Sequence, residues 1–362
     1  MSNAETNSGA VREARRRSDT SDGAVGARVL ELGGRYGLLI LLIAVLVLFS
    51  VWIPESFFAW QNFRGTLSQQ AIILMVAFGV MLPLCVDEFD FSVGANAAMA
   101  NIFCVGFSVL QGWPAWVCII LPVVISTLIG VLNGLIVIKL KVMSFVATLG
   151  SATALLGFSQ LYTDLQDLRG APESITRIGR AEVLGLPLPT VVALITAAVL
   201  VVILQHLPVG REMDAIGGNR EAARLSGINV DRRVLATFAG CGLIVGIGGM
   251  LYGANLGAAN TSTGSTLLLP AFSGAFLGST TIRPGRFNVV GTLIGVFLLA
   301  FIISGLEQVG VPVWIESVVP GIALILAVAA SSWAIRARAA RLREAQVRSL
   351  TREDADTTEQ AA

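Results

Sequence analysis

Ala115-Trp116-Val117-Cys118-Ile119-Ile120-Leu121-Pro122-Val123-Val124-Ile125-Ser126-Thr127-Leu128-Ile129-Gly130-Val131-Leu132-Asn133-Gly134-Leu135-Ile136-Val137-Ile138 contains no charged side chain and closes on Lys139 and Lys141. A helix crossing about 30 Å of hydrocarbon needs roughly 20 such residues, and this stretch exceeds that. The rest of the chain has the same character. It is 54% hydrophobic and 14% charged, with a mean hydropathy of +0.76, against about 25% charged in soluble domains. A water-soluble chain of 362 residues could not hide so much apolar surface. Its 25 basic and 24 acidic residues leave a net charge of +1, so it has no basic field suited to nucleic acid. The fold expected is an all-α integral membrane protein.

Outward from 115–138, nine further apolar runs are legible, at 36–53, 71–86, 93–111, 144–161, 189–207, 234–257, 265–282, 288–306 and 313–335. They form a transmembrane domain over 36–335, of about ten helices, some short or broken. The runs 71–86 and 144–161 are short or interrupted by polar residues, and are expected to be the broken or re-entrant helices, tolerated only inside protein or beside a water-filled cavity. Polar tails flank the domain. Residues 1–35, with Arg15-Arg16-Arg17, are expected to be disordered, and 336–362 are charged. No small-residue cleavage site follows the first run, which is expected to remain as an anchor.

Cationic residues orient the bundle. With both termini cytoplasmic, the inner segments are 1–35, 87–92, 139–143, 208–233, 283–287 and 336–362. These hold 21 of the 25 Lys and Arg residues, leaving Arg64, Arg169, Arg177 and Arg180 outside. Small residues recur four apart at Gly130/Gly134, Gly242/Gly246, Gly249/Gly253/Gly257, Gly274/Gly278 and Gly291/Gly295. This spacing lets helix backbones approach closely in lipid. Cys85, Cys104, Cys118 and Cys241 form no CxxC pair and are expected to be packing residues.

Catalytic patterns are missing. The only lysines, Lys139 and Lys141, do not follow a glycine-rich phosphate loop, His206 is the sole histidine, and no GxSxG elbow occurs. Catalysis, and any metal or cofactor, are not expected in this chain. Ionisable residues in the runs are also few. Asp87, Glu88 and Asp90 end the second run, and Glu307 and Glu316 lie near run ends. Asp90 is expected to cap the helix beginning near Ser92.

The informative loop is 208–233. Within it Asn219 is placed to cap a short helix from Glu221 to Leu225, with Gly227 closing it. A charged helix projecting from a membrane suits docking onto a soluble partner.

These residues carry a resemblance. Glu221-Ala222-Ala223 followed by Gly227, preceded by Ala215-Ile216-Gly217-Gly218-Asn219, resembles the coupling segment of ABC importer permeases of the ribose, xylose and autoinducer-type sugar family, within the branched-chain amino-acid permease superfamily. Asp90-Phe91-Ser92-Val93-Gly94 is similar to that family's D-L-S-V-G element, and Thr148-Leu149-Gly150 to its T-L-G. Gly305-Leu306 with Gly310-Val311 is similar to its N-G-L…G-V stretch. Phe91 departs from the commoner Leu, Ser304 stands where Asn often precedes Gly-Leu, and 278–288 departs from the usual glycine-rich stretch. The resemblance spans about 36–335.

It implies a multi-pass subunit of the bacterial plasma (inner) membrane that translocates a sugar or related small polar solute. The partners implied are cytoplasmic ABC ATPases carrying the ATP and Mg, a second permease chain and an external binding protein. Coupling to the ATPase would fall on Gly217, Gly218, Asn219, Glu221, Ala222, Ala223 and Gly227. A neutral solute needs hydrogen-bonding groups along its path, and the candidates for path or gate are Asp90, Ser92, Asn96, Asn133, Ser144, Thr148 and Asn255. Two alternatives stand beside this reading. One is a permease for branched-chain amino acids or nucleosides. The other is a channel or secondary transporter that works without an ATPase.

Overall fold

The computed structural model describes residues 36–330, apart from 56 and 58. Both tails and the end of the last run lie outside the described residues. Each of the ten apolar runs carries an α-helix: α1 (Tyr36–Trp52), α2 (Trp60–Leu84), α3 (Val93–Val109), α4 (Ala115–Leu140), α5 (Ser144–Thr163), α7 (Leu188–Val201), α10 (Val230–Leu256), α11 (Thr263–Gly278), α12 (Val289–Gln308) and α13 (Ile315–Ala330). Three short helices join them, α6 (Glu173–Gly179), α8 (Pro208–Gly218) and α9 (Arg220–Leu225). Among the described residues, six stretches are long and apolar enough to cross a membrane: Asn62–Leu84, Ala115–Leu140, Ser144–Thr163, Leu188–His206, Val230–Leu256 and Val289–Gln308. Helices α1, α3 and α13 are apolar but shorter.

Helices α2 and α10 form the centre. The most apolar stretch of α2 is 72% buried and that of α10 67%, against 22% for α4. Phe78, Met75, Met81 and Phe238 are wholly enclosed. Peripheral α4 instead exposes Ile120, Val124, Leu128 and Leu132, four residues apart on one face, which is the surface a lipid-facing helix presents.

The glycine pairs are the seams of this packing. Gly242 and Gly246 of α10 meet Ser126 and Gly130 of α4, and Gly249 and Gly253 meet Ala97 and Asn101 of α3. Gly274 and Gly278 of α11 meet Val296 and Thr292 of α12. Gly257 serves differently, ending α10 in the left-handed conformation at φ +69°. A methyl at Gly278 would lie 2.3 Å from the Thr292 nitrogen, and such overpacking costs typically 1–3 kcal/mol. Gly278→Ala is therefore expected to lower the melting temperature of the purified protein. Gly37→Ala, with nothing within 4 Å of its new methyl, should not; equal melting of the two would contradict these seams.

The expected breaks fall elsewhere. α2 runs unbroken for 25 residues and α5 for 20. The polar residues Thr66, Gln69 and Gln70 that shorten the 71–86 run sit on α2 facing a cavity, so the helix continues through them. Helices α3, with 17 residues, and α11, with 16, are the two that begin away from the ends of the bundle. Both start inside the bundle: Asp90, just before α3, lies against Cys241 midway along α10, and the backbones of Gly94 and Gly264 are in direct contact.

The two starts are built alike, from Asp90-Phe91-Ser92-Val93-Gly94 and Asn260-Thr261-Ser262-Thr263-Gly264. Asp90 Oδ1 accepts from the Ser92 N–H (2.9 Å) and hydroxyl (2.6 Å). Asn260 Oδ1 accepts from the Ser262 hydroxyl (2.9 Å) and the Thr263 N–H (3.0 Å). Asp90 thus does not cap α3 as expected: it accepts from Ser92, which precedes the helix, and orders the turn into it, whereas Asn260 accepts from Thr263, the first residue of α11.

Two-stranded pieces tie one end of the bundle. β1 (Leu168–Arg169) pairs antiparallel with β4 (Ala258–Ala259), and β2 (Glu182–Val183) with β3 (Leu186–Pro187). Arg180 donates to the carbonyls of Asn255 (2.8 Å) and Leu256, closing the C-terminal end of α10.

Candidate functional site

At the other end, α8 and α9 form a helical hairpin. Asn219 is extended (φ −161°) and its side chain accepts from the Ala222 N–H at 3.0 Å, which caps α9. Gly227 adopts φ +84°. Its N–H donates to the Arg224 carbonyl and that of Ile228 to the Ala223 carbonyl, both at 3.1 Å, the pair of bonds that closes a helix on a left-handed residue. Ala223 is buried against the bundle, and Glu221, Ala222 and Leu225 are exposed. Gly218 is open, whereas the Cα of Gly217 faces the Cys85 carbonyl so closely that a methyl would lie 2.5 Å from it.

Ion pairs tie this hairpin to three other segments. Asp214 of α8 accepts from Arg286 at 2.7 Å, and Glu212 accepts from Arg233 of α10. The Arg233 bond, with the charges of Arg233 and Arg232, holds the Glu212 carboxyl below the usual carboxylate range. Arg220 of α9 reaches Glu88 at 2.7 Å, and Glu88 is only 5% exposed.

Glu88 belongs to the 85–92 linker between α2 and α3, around which most of the polar candidates converge. The Phe89 N–H donates to the Ser144 hydroxyl (3.1 Å) and the Phe91 N–H to that of Thr148 (3.0 Å), both on α5. Asn133 of α4 donates to the Ser92 hydroxyl (2.8 Å), and Cys241 approaches Asp90 Oδ2 at 3.7 Å. Asn96 lies one turn further along α3 and donates to the Ser126 carbonyl at 3.2 Å. The Phe91 ring stacks on Phe272 of α11 (4.9 Å) and meets Phe145 of α5 edge-on (5.1 Å). Asp90, Ser92, Asn96, Asn133, Ser144 and Thr148 are all buried. Buried polar groups of this kind cost about 1–3 kcal/mol each if a partner is removed.

Asn255 stands apart. It lies at the far end of α10, donating to the Ser68 hydroxyl (3.0 Å) and the Gly179 carbonyl (3.3 Å), beside a surface hollow with Arg64 and Arg180. At the same end a separate cavity of about 280 Å³ lies between α2, α10, α11, α12 and α13. Gln69, Gln70, Tyr252, Ser304, Glu307 and Glu316 supply much of its polar wall.

The profile of the family described as "Branched-chain amino acid transport system / permease component" matches residues 62–328, all ten helices but the first. The chain belongs to this permease family. It is 34% identical over 300 residues to the ribose import permease protein of Bacillus subtilis, covering 82% of this chain and 91% of that one. The ribose import permease protein of Escherichia coli K12 is 31% identical over 293 residues, 79% of this chain and 91% of that one. The xylose transport system permease protein of the same strain is 29% identical over 371 aligned positions, with 85% and 94% covered. No solved structure matches the chain.

This multi-pass membrane permease thus carries its sequence-marked residues in two places. Gly217 to Gly227 form the exposed hairpin, and six of the seven polar candidates surround the 85–92 linker. Two features escaped sequence reasoning. The Arg220–Glu88 pair joins residues of separate segments, and no local pattern marks it. The cavity residues of α2 and α12 sit on faces that a linear reading registers only as polar interruptions.

Proposed function

We propose that this chain is the membrane-spanning subunit of an ATP-driven importer in the bacterial inner membrane, taking up a sugar or related small polar solute from an external binding protein. It works beside a second permease chain, with ten spans and both termini cytoplasmic. ATP and Mg are bound by partner ATPases, which push on α8–α9. The observation that carries this reading is the capped hairpin, exposed at Glu221 and Leu225 yet tied by four ion pairs to Arg286, to α10 and to Glu88 of the 85–92 linker. A force on α9 reaches Glu88 directly, and Phe89 and Phe91 pass it to the start of α5.

The clustering of charge supports the orientation. Glu88, Lys141, Arg220, Arg224 and Asp231 gather around one hollow, and Arg286 joins α8 at that end. Arg64 and Arg180 lie beside Asn255 at the other. Four of the segments expected to be cytoplasmic thus share one end, as the positive-inside rule requires. A sugar is the substrate class carried by the names of the ribose and xylose permeases to which the chain is similar.

Affinity purification in mild detergent, followed by uptake assays on the reconstituted complex, tests this. An ABC ATPase is expected to copurify, and labelled D-ribose or D-xylose to enter proteoliposomes only with ATP and the binding protein. Absence of any ATPase from the purified chain would remove the importer reading, and an ATPase-independent channel or secondary transporter would take its place.

A further inference from the structure

We infer that the 280 Å³ cavity between α2, α10, α11, α12 and α13 is a monosaccharide site contained within one permease chain, which receives the neutral polyol before it passes deeper. The inference rests on the importer reading above and adds the place where the solute is held.

Position is the first argument. The cavity takes Gln69 and Gln70 from the first half of α2, Ser304 and Glu307 from the last half of α12, and Glu316 from the first turn of α13. All lie toward the end of the bundle bearing Asn255 and Arg180, away from α8–α9. In the proposed orientation that end faces the binding protein.

Chemistry is the second. At about 30 Å³ for each water, 280 Å³ holds roughly nine waters, which is space for a monosaccharide. The amides of Gln69 and Gln70 donate and accept, the Ser304 hydroxyl does both, and the carboxyls of Glu307 and Glu316, which hydrogen-bond to each other, keep oxygens free to accept from the hydroxyls of a sugar. Tyr252 offers a ring for the C–H face of a sugar, and Leu267, Pro270 and Leu299 supply apolar wall. Polar groups converging on an otherwise apolar concavity are the usual form of a small-molecule site.

Charge is the third. Among the described residues no Lys or Arg lines the cavity, and two carboxyls do. Glu307 and Glu316 would receive the ammonium of an amino acid, but its carboxylate would be left in the cavity without a cation, whereas an uncharged polyol needs none. Ser304 also gives this wall a smaller side chain at the position where the resembled family often has Asn.

The test uses the complete transporter, this chain with its ATPase and binding protein, in proteoliposomes. ATP-driven uptake of labelled D-ribose and D-xylose is compared for wild type, Ser304→Trp, Gln70→Ala and the lipid-facing control Leu128→Trp. Saturation-transfer NMR with each sugar on the detergent-purified permease–ATPase complex, without binding protein, reads occupancy directly. Ser304→Trp, which fills the cavity, is expected to cut uptake at least tenfold and to remove the transfer signal. Gln70→Ala should weaken that signal several-fold, and Leu128→Trp should match wild type. If Ser304→Trp does not assemble, the wild-type and Gln70→Ala spectra decide the matter. Normal uptake with no transfer signal in wild type, or a signal and uptake unmoved by both cavity variants, overturns the site and leaves the importer reading intact. A wild type that moves neither pentose overturns the sugar reading, and this site with it.

Discussion

Gly227→Pro is expected to abolish copurification of the partner ATPase while the membrane bundle still folds. Gly227 sits at φ +84°, and proline is fixed near −65°. The substitution also removes the N–H that donates to Arg224 and disturbs the adjacent bond from Ile228 to Ala223. α9 has six residues, too few to hold a helix without its caps. A graded series isolates the cause. Gly227→Asn should bind ATPase nearly as well as wild type, since Asn tolerates the left-handed region, and Gly227→Ala should lose about 1–2 kcal/mol there. Glu221→Lys places a cation in the first turn of α9, which is unfavourable by about 0.3–1 kcal/mol, and reverses the charge that the hairpin exposes. ATPase recovered per mole of chain is the measurement. Full recovery with Gly227→Pro would mean that the ATPase docks elsewhere.

Arg220→Ala is expected to have the second largest effect, on coupling rather than on docking. It leaves the Glu88 carboxyl buried at 5% exposure with its cation gone. Stranding one member of a fully buried pair costs 3–5 kcal/mol; Arg220 is 43% exposed, so water relieves part of this and about 1–3 kcal/mol is expected. The 85–92 linker is also what holds Ser144 and Thr148. Uptake should therefore fall at least tenfold although the ATPase still copurifies. Thermal melting of Arg220→Ala, Glu88→Gln and the double variant completes the cycle. The double variant should be less destabilised than the two single losses combined, because the second change removes the stranded charge. Strict additivity would show that the pair carries no coupling.

The chain's composition, its ten apolar runs and the α9 cap are all legible in the sequence. Each depends on local quantities: hydropathy over a window, a capping side chain three residues from its N–H, a glycine where the backbone turns left-handed. The spacing of the glycines likewise announced close packing, since residues four apart share a helix face.

Which helices break, and where solute fits, depended on the tertiary structure. Thr66, Gln69 and Gln70 look like the end of a span when only neighbours along the chain are counted. α11, α12 and α13 enclose a cavity beside them, so α2 keeps its hydrogen bonds and runs on. Asn255 resembles Asn96 and Asn133 as an amide within an apolar run, yet it lies at the far end of α10 while they flank the 85–92 linker. Glu88 and Arg220 are separated by more than a hundred residues, and only the folding of α8–α9 back beneath α2 joins them. The sequence by itself determined the environment and the local ends of the helices, because backbone and solvent set those. The partners of its polar side chains were decided by three-dimensional packing, because in a dry interior each must find an acceptor or donor wherever the other helices supply one.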